Sequence, residues 1–159
     1  MTANVEALCI KTVEMHTGGE PLRIVVSGLP PIQGKTILEK IQYIRKNFDH
    51  IRKLLIFEPR GHFDMYGVYL VEPDVEGTDI GCIFFHNEGY STMCGHAVIS
   101  LGRYLIDHGI VTKTSSPETR MVLQCPCGPV ESFVEYTGGK PGTVRFNSVP
   151  SYLYKKGKF

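Results

Sequence analysis

The chain has 159 residues, of which 42% are hydrophobic and 21% are charged, so it is long enough to form one domain around a buried core. Its formal net charge is +1, with acidic and basic residues interleaved, which gives no electrostatic basis for binding nucleic acid or an acidic membrane surface. No run approaches about 18 apolar residues and no basic segment precedes an apolar one at the start, so we expect neither a membrane span nor a secretion signal.

The first half of the chain is predicted to contain short strands on both sides of one amphipathic helix. Two strands at residues 13–17 and 22–26 are joined by a Gly-Gly-containing turn. Apolar residues at helical spacing predict a helix over residues 35–47, which residues 49–53 extend. A further strand is predicted at residues 54–57, before a loop over residues 58–62.

The second half is predicted to contain more strands and one strongly apolar helix. Aromatic and β-branched residues predict strands at residues 65–71 and 79–86. The helix over residues 97–106 is apolar almost all round and ends near Gly109, which suits a helix C-terminus. A hairpin at residues 120–124 and 129–136 and a strand at residues 143–147 follow. A helix that is apolar on every face must be enclosed, which predicts an α+β fold with a curved sheet wrapped around it.

Five cysteines are present, an odd number without a dense framework: Cys9, Cys82, Cys94, Cys125 and Cys127. Without a secretion signal, reduced thiols and a cytoplasmic location are expected. The spacing Cys125-Pro126-Cys127 is too close for an ordinary zinc knuckle. A metal site built from Cys82, His86, Cys94 and His96 is a further hypothesis, although its spacing is not typical of metal ligands.

Cys94 is the principal candidate for catalysis because it lies directly before the apolar helix. Unpaired backbone N–H groups and the positive end of the helix dipole favour thiolate, which predicts a lowered pKa and faster alkylation than at the other four cysteines. Gly95 allows a substrate to approach the backbone, and N–H groups at a helix start bind carboxylates. The alternative is a buried structural cysteine.

Four other positions are candidates with structural alternatives. His96 is a candidate partner of Cys94 or of a substrate carboxylate, or else a structural histidine. Tyr66 is placed to stack on a small ring or to pack in the core. Residues 16–21 are a candidate substrate loop, and Arg60 is a candidate carboxylate ligand or a solvated loop residue.

Four motifs occur in register along the chain: His16-Thr17-Gly18-Gly19-Glu20-Pro21, Glu58-Pro59-Arg60-Gly61-His62, Asp64-Met65-Tyr66-Gly67 and Met93-Cys94-Gly95-His96. In order and spacing they resemble the proline racemase family, from His16 to about Pro150. Within the family, residues 87–97 followed by Leu101-Gly102-Arg103 are most similar to the animal enzymes that dehydrate trans-3-hydroxy-L-proline.

The resemblance implies a diaminopimelate-epimerase-like fold, in which two similar halves each wrap a mostly antiparallel sheet around a central helix. The chain then corresponds to one N-terminal catalytic half over residues 1–159, family-like over about 10–150 with a divergent tail at 151–159, and the second half is absent. The resemblance also implies that Cys94 accepts the α-proton, that Gly95 and His96 contact the substrate carboxylate, and that Tyr66 lines the ring pocket.

The implied activity is that of a hydro-lyase, which converts trans-3-hydroxy-L-proline to Δ1-pyrroline-2-carboxylate without a cofactor or metal. In such enzymes a threonine replaces the second cysteine of the racemases. Proline racemase and 4-hydroxyproline 2-epimerase are the alternatives, since the deciding residue lies in the absent half. We expect this chain to be inactive alone. A non-catalytic role, in which the half self-associates as a homodimer or pairs with a partner, is a third hypothesis.

Overall fold

The computed structural model describes residues 8–153 and 155–157, and within them three helices and eight strands. The strands are β1 (Lys11–Thr17), β2 (Glu20–Ser27), β3 (Tyr66–Val71), β4 (Ile80–His86), β5 (Gly89–Ser91), β6 (Glu118–Cys125), β7 (Gly128–Thr137) and β8 (Lys140–Phe146). The helices are α1 (Ile37–Asn47), α2 (Asp49–Ile56) and α3 (Gly95–Asp107).

All eight strands form one mixed sheet, in the order β1-β2-β3-β4-β6-β7-β8, with β5 paired to β4. Strands β2 and β3 pair in parallel, as do β4 and β6, whereas the other pairings are antiparallel. The expected α+β class is therefore confirmed.

The sheet carries a hydrophobic core on each face. In β4, Cys82 and Phe84 belong to the core that includes α3, whereas Ile83 and Phe85 belong to the core that includes α1 and α2. Successive side chains of a strand point to opposite faces, so a strand covered on both sides must be apolar throughout. This explains why the sequence of β4 shows no alternation of apolar and polar residues.

Helix α3 contacts strands from both ends of the sheet order, namely β1 and β2 at one end and β7 and β8 at the other. The approach is close at Gly102, where an added Cβ would lie 2.7 Å from Val144 Cγ1 and 3.0 Å from Ser132 Oγ. Only a residue without a side chain fits this position. The helix is not apolar on every face, however, because Arg103 and Asp107 form a partly exposed ion pair at 3.3 Å.

The strand predicted at residues 54–57 is wrong, because these residues form the last turn of α2 and its C-cap, Phe57. Ile51, Leu55 and Ile56 pack together in the core below the sheet, and helical spacing brings them to one face. The predicted extension of the first helix is a separate helix, since Phe48 caps α1 before α2 begins. The sequence pattern did not predict the short strand β5.

In the predicted tail at residues 151–159, Tyr154 and residues 158–159 lie outside the described residues. Within the part of the chain that the structure describes, no helix is both long and apolar enough to cross a membrane.

Candidate active site

Cys94 is the N-cap residue of α3 and has an extended backbone, with φ −141° and ψ 112°. The sequence therefore correctly placed it at the start of this helix. Its side chain is buried, with 7% of the residue exposed, and it belongs to the core that includes α3. The thiol thus lies at the boundary between the hydrophobic core and the open first turn of the helix.

Burial raises the pKa of the Cys94 thiol to about 11. The backbone N–H of Ala97, the Tyr66 hydroxyl and the backbone N–H of His96 each lower this pKa, but together they do not offset the loss of water. No first-turn N–H makes a well-formed capping hydrogen bond to the sulfur. The predicted lowered pKa is therefore wrong, because the sequence indicated the helix dipole but not the depth of burial.

His96 is the nearest polar partner of the Cys94 thiol. Its Nδ1 lies 3.3 Å from Cys94 Sγ, and its Nε2 lies 3.2 Å from the carbonyl oxygen of Pro21. A carbonyl only accepts, so the hydrogen bond to Pro21 requires the hydrogen on Nε2 and leaves Nδ1 without one. Cys94 Sγ contacts both ring nitrogens, since it also lies 3.6 Å from Nε2. The imidazole is thereby held in the tautomer that can receive a proton from Cys94.

The segment from His16 to Pro21 holds His96 through hydrogen bonds to its ring and to its backbone. Besides the Pro21 carbonyl, the Thr17 hydroxyl donates to the backbone carbonyl of His96 at 2.8 Å and lies 2.8 Å from Ser100 Oγ. The motif that the sequence suggested as a substrate loop therefore anchors the first turn of α3, and its Glu20 reaches the adjacent groove.

Tyr66 links Cys94 to the neighbouring strands. Its ring meets His96 edge-on, with centroids 5.1 Å apart, and stacks on His86 at 5.3 Å. Its hydroxyl is hydrogen-bonded to Ser91 Oγ at 2.5 Å. Burial raises the pKa of this hydroxyl, which keeps it protonated and able to donate to the Cys94 sulfur. Tyr66 and His96 therefore both lie beside the Cys94 thiol.

An open groove of about 300 Å³ adjoins these side chains. Its lining comprises Glu20, Phe63, Asp64, Met65, Tyr66, His86, Asn87, Glu88 and His96. Of the predicted site residues, Tyr66 and His96 line this groove, whereas Cys94 and Gly95 do not. An added Cβ at Gly95 would lie 3.0 Å from the Phe146 ring, so a glycine also suits the packing here. Three of the lining residues are carboxylates, Glu20, Asp64 and Glu88. Each lies in a segment that the sequence singled out, but only the fold brings the three segments to one groove.

Arg52 is a second residue that the sequence did not single out. It is 5% exposed, and its guanidinium donates to the carbonyls of His86 at 2.7 Å and Asn87 at 2.8 Å. Asp49 accepts two further hydrogen bonds from it, at 2.7 and 3.1 Å. Arg52 thus holds the β4–β5 turn, whose residues line the groove. The sequence signal was weak, consisting only of an arginine flanked by the apolar face of α2.

Two other hypotheses do not describe this site. The backbone carbonyl of Arg60 accepts from Arg23 at 2.9 Å, so the loop containing it is tied to β2, and Arg60 does not line the groove. Cys82 is fully buried in the core. Across residues 8–153 and 155–157, no group of three His, Cys, Asp or Glu side chains could hold a metal ion, so the predicted metal cluster does not form.

The chain belongs to the proline racemase family, which it matches over residues 12–158. It is 57% identical over 145 residues to trans-L-3-hydroxyproline dehydratase of Xenopus tropicalis, covering 91% of this chain and 42% of that protein. It is 58% identical over 140 residues to the enzyme of the same name from Saccoglossus kowalevskii, covering 88% and 43%. The chain therefore spans less than half the length of the curated relatives it matches.

Two solved structures share the fold. A probable proline racemase from Agrobacterium radiobacter K84, with bound carbonate, has a TM-score of 0.82 and 26% identity, covering 92% of this chain and 44% of that one. A hydroxyproline epimerase from Agrobacterium vitis, with bound trans-4-hydroxy-L-proline, also has a TM-score of 0.82, at 22% identity with coverages of 92% and 43%. The resemblance expected from the four motifs is thus confirmed.

Proposed function

We propose that this chain is the N-terminal catalytic half of a hydro-lyase that dehydrates trans-3-hydroxy-L-proline to Δ1-pyrroline-2-carboxylate. The observation that carries the proposal is the Cys94–His96 pair, with Sγ and Nδ1 3.3 Å apart at the head of α3, beside the groove and Tyr66. The dehydratases from Xenopus tropicalis and Saccoglossus kowalevskii support the reaction and the substrate.

In this proposal Cys94 accepts the α-proton and Tyr66 lines the ring pocket. The N–H groups of Gly95 and His96 begin α3, where they are not used by the helix and suit a carboxylate. Negative charge that develops on the α-carbon during proton removal is stabilised by this carboxylate pocket. The proposal uses neither a cofactor nor a metal, because the thiol carries the proton and the N–H groups at the helix start stabilise the developing charge.

The thiolate must first form. With a pKa of about 11, only about 1 thiol in 10,000 is ionised at pH 7. His96 Nδ1 can take the proton, and the positively charged ring nitrogen of the substrate favours thiolate once it enters the groove. The carboxylates of Glu20, Asp64 and Glu88 on the groove lining suit the same nitrogen. We therefore expect substrate binding to activate Cys94.

One base is sufficient for this elimination. In trans-3-hydroxy-L-proline the hydroxyl is trans to the carboxylate, so it lies on the same ring face as the α-hydrogen. The Cys94 thiolate takes the α-proton, the C–H electron pair forms the C2–C3 double bond, and the hydroxyl leaves C3. The same thiol then returns its proton to the leaving group, so that water and the enamine are released, and the enamine tautomerises to the cyclic imine.

The finer architecture is part of the proposal. Contacts between α3 and both ends of the sheet order support a diaminopimelate-epimerase-like half, in which the sheet curves around this helix. Residues 1–159 then supply one wall of the site and the absent half supplies the other, including the residue opposite Cys94.

The five free thiols support a cytoplasmic location. Self-association as a homodimer through the uncovered groove is the alternative role.

Complementation tests the proposal. The chain is fused to the remaining residues of the Xenopus tropicalis dehydratase and assayed with trans-3-hydroxy-L-proline, L-proline and trans-4-hydroxy-L-proline. We expect dehydration of the first substrate by the fusion, none by the chain alone, and a loss of at least 1,000-fold in Cys94→Ser. The exposed Cys9→Ser change is the matched control and should retain activity.

The assay includes light scattering of the isolated chain at several concentrations. Dehydration by a verified monomer of this chain would contradict the need for a second half. Full activity in the Cys94→Ser fusion would contradict the role of Cys94. A folded but inactive fusion, together with concentration-dependent dimers of the chain, would favour the non-catalytic alternative. Racemisation or epimerisation without dehydration would favour the other enzymes of the family.

A further inference from the structure

The β6–β7 turn carries two cysteines that the proposed reaction does not use. Cys125 ends β6 and pairs with Gly128, the first residue of β7, so Pro126 and Cys127 form a two-residue turn. Cys125 is buried with 1% exposed, whereas Cys127 is exposed. One thiol of the pair is therefore accessible to a solute, and the other is buried two residues away.

The two thiols belong to one tight turn, with Cys125 as its first residue and Cys127 as its third. Burial raises the pKa of both thiols, and Cys125 is the more deeply buried of the two. Residues two apart in a chain have α-carbons at most about 7 Å from each other, and a disulfide requires roughly 4.4–6.8 Å. The span between the two α-carbons is therefore compatible with a disulfide.

We infer that Cys125 and Cys127 form a dithiol site that small soluble disulfides, such as oxidised glutathione, convert reversibly to an intrachain disulfide. This goes beyond the proposed function and does not depend on it. The turn also lies beside the candidate active site, because the Cys127 N–H donates to the Thr92 carbonyl at 3.2 Å, two residues before Cys94.

The proposed thiol–disulfide exchange with oxidised glutathione takes two steps. The Cys127 thiolate attacks one sulfur of oxidised glutathione, the S–S bond breaks, and one glutathione leaves as thiolate. The Cys125 thiolate then attacks the Cys127 sulfur of the mixed disulfide and displaces the second glutathione. The protein loses two hydrogens in total, and one molecule of oxidised glutathione becomes two of reduced glutathione. The short, strained ring makes the disulfide easily reduced again.

Mass spectrometry of the full 159-residue chain tests the inference. The folded, reduced chain is equilibrated with mixtures of reduced and oxidised glutathione, quenched in acid, alkylated and digested with trypsin. The peptide from Met121 to Arg145 contains both cysteines and no others. We expect it to appear unalkylated and lacking two hydrogens, whereas the exposed Cys9 keeps its glutathione adduct because the structure records no thiol partner for it.

Two variants make the outcome specific. In Cys125→Ser, glutathione should remain on Cys127. In Cys127→Ser, a surface change that does not disturb the core, Cys125 should stay reduced under conditions that modify Cys9. A stable glutathione adduct on Cys127 of the unaltered chain would overturn the inference. It would equally be overturned by a first disulfide that includes Cys94 or Cys82, or by no reaction at the turn when Cys9 is fully modified.

Discussion

The pKa of the Cys94 thiol is lowered by the helix that it begins and raised by burial in the surrounding core. The first-turn N–H groups and the Tyr66 hydroxyl stabilise a thiolate, whereas removal from water destabilises it and has the larger effect. The sequence showed the helix start, but burial depends on strands β1 to β4, which are distant along the chain. A candidate base can therefore be located from sequence while its protonation state cannot.

Alkylation of Cys94 should depend steeply on pH. Because only thiolate reacts, the rate should rise about tenfold per pH unit between pH 7 and 10 and level off near pH 11, and at pH 7 it should be slower than at the exposed Cys9. Tyr66→Phe removes a donor to the sulfur and should slow the reaction severalfold at pH 8. Peptide mapping after a timed pulse of iodoacetamide measures both rates.

The matched control for Tyr66→Phe is Ser91→Ala, which removes the Tyr66–Ser91 hydrogen bond but keeps the tyrosine hydroxyl. This variant should alkylate at a rate close to that of the unaltered chain. Faster reaction at Cys94 than at Cys9 at pH 7 would show that the helix terminus dominates after all.

At the scale of elements, the contact between α2 and the β4–β5 turn forms one border of the groove. Arg52 is held by Asp49 in the same helix and donates to two carbonyls of the turn. Helical spacing predicts the Asp49–Arg52 pair, since residues three apart lie on one side of a helix. The carbonyl partners could not be predicted, because they depend on how α2 packs against the sheet.

Asp49→Asn should destabilise the chain at neutral pH and lose its effect in acid. The hydrogen bond from Arg52 holds the pKa of the Asp49 carboxyl below its usual value of 3.8. A lowered folded-state pKa adds stability above pH 3.8, which is lost as the pH falls through the folded-state pKa. We expect a cost of about 1–2 kcal/mol at pH 7, since Arg52 loses a charged acceptor.

Urea unfolding at pH 7 and at pH 3 measures this difference. Asp107→Asn is the control, because Asp107 pairs with Arg103 on a more exposed surface, and its effect should be a few tenths of a kcal/mol. An effect of Asp49→Asn that is equal at both pH values would mean that the ion pair does not stabilise the fold.

At the scale of the whole molecule, the sheet joins two cores into one structure. Phe84 and Phe85 are adjacent in β4 and fully buried, but they lie in different cores, one with α3 and one with α1 and α2. The site is built at the α3 face, whereas Arg52, whose helix α2 packs in the other core, holds the turn that carries groove residues His86 and Asn87. A change in either core should therefore affect the stability of both.

Phe84→Ala and Phe85→Ala test this cooperativity. Each should lower the free energy of unfolding by about 3–5 kcal/mol, because each leaves a cavity in a packed core. Far-UV and near-UV circular dichroism should give coincident urea transitions for both variants. Two separate transitions, with only one shifted in each variant, would show that the two cores unfold independently.

Local sequence by itself determined most elements, the position of Cys94 at the head of α3 and the family, because helical periodicity, strand composition and the four motifs are properties of neighbouring residues. It failed at residues 54–57, where a short apolar run suits a strand or a helix equally well. Only the tertiary structure decided the sheet order, the His96–Pro21 and Arg52–His86 hydrogen bonds and the raised pKa of Cys94. These depend on burial and on partners brought together from distant segments, which no local pattern encodes.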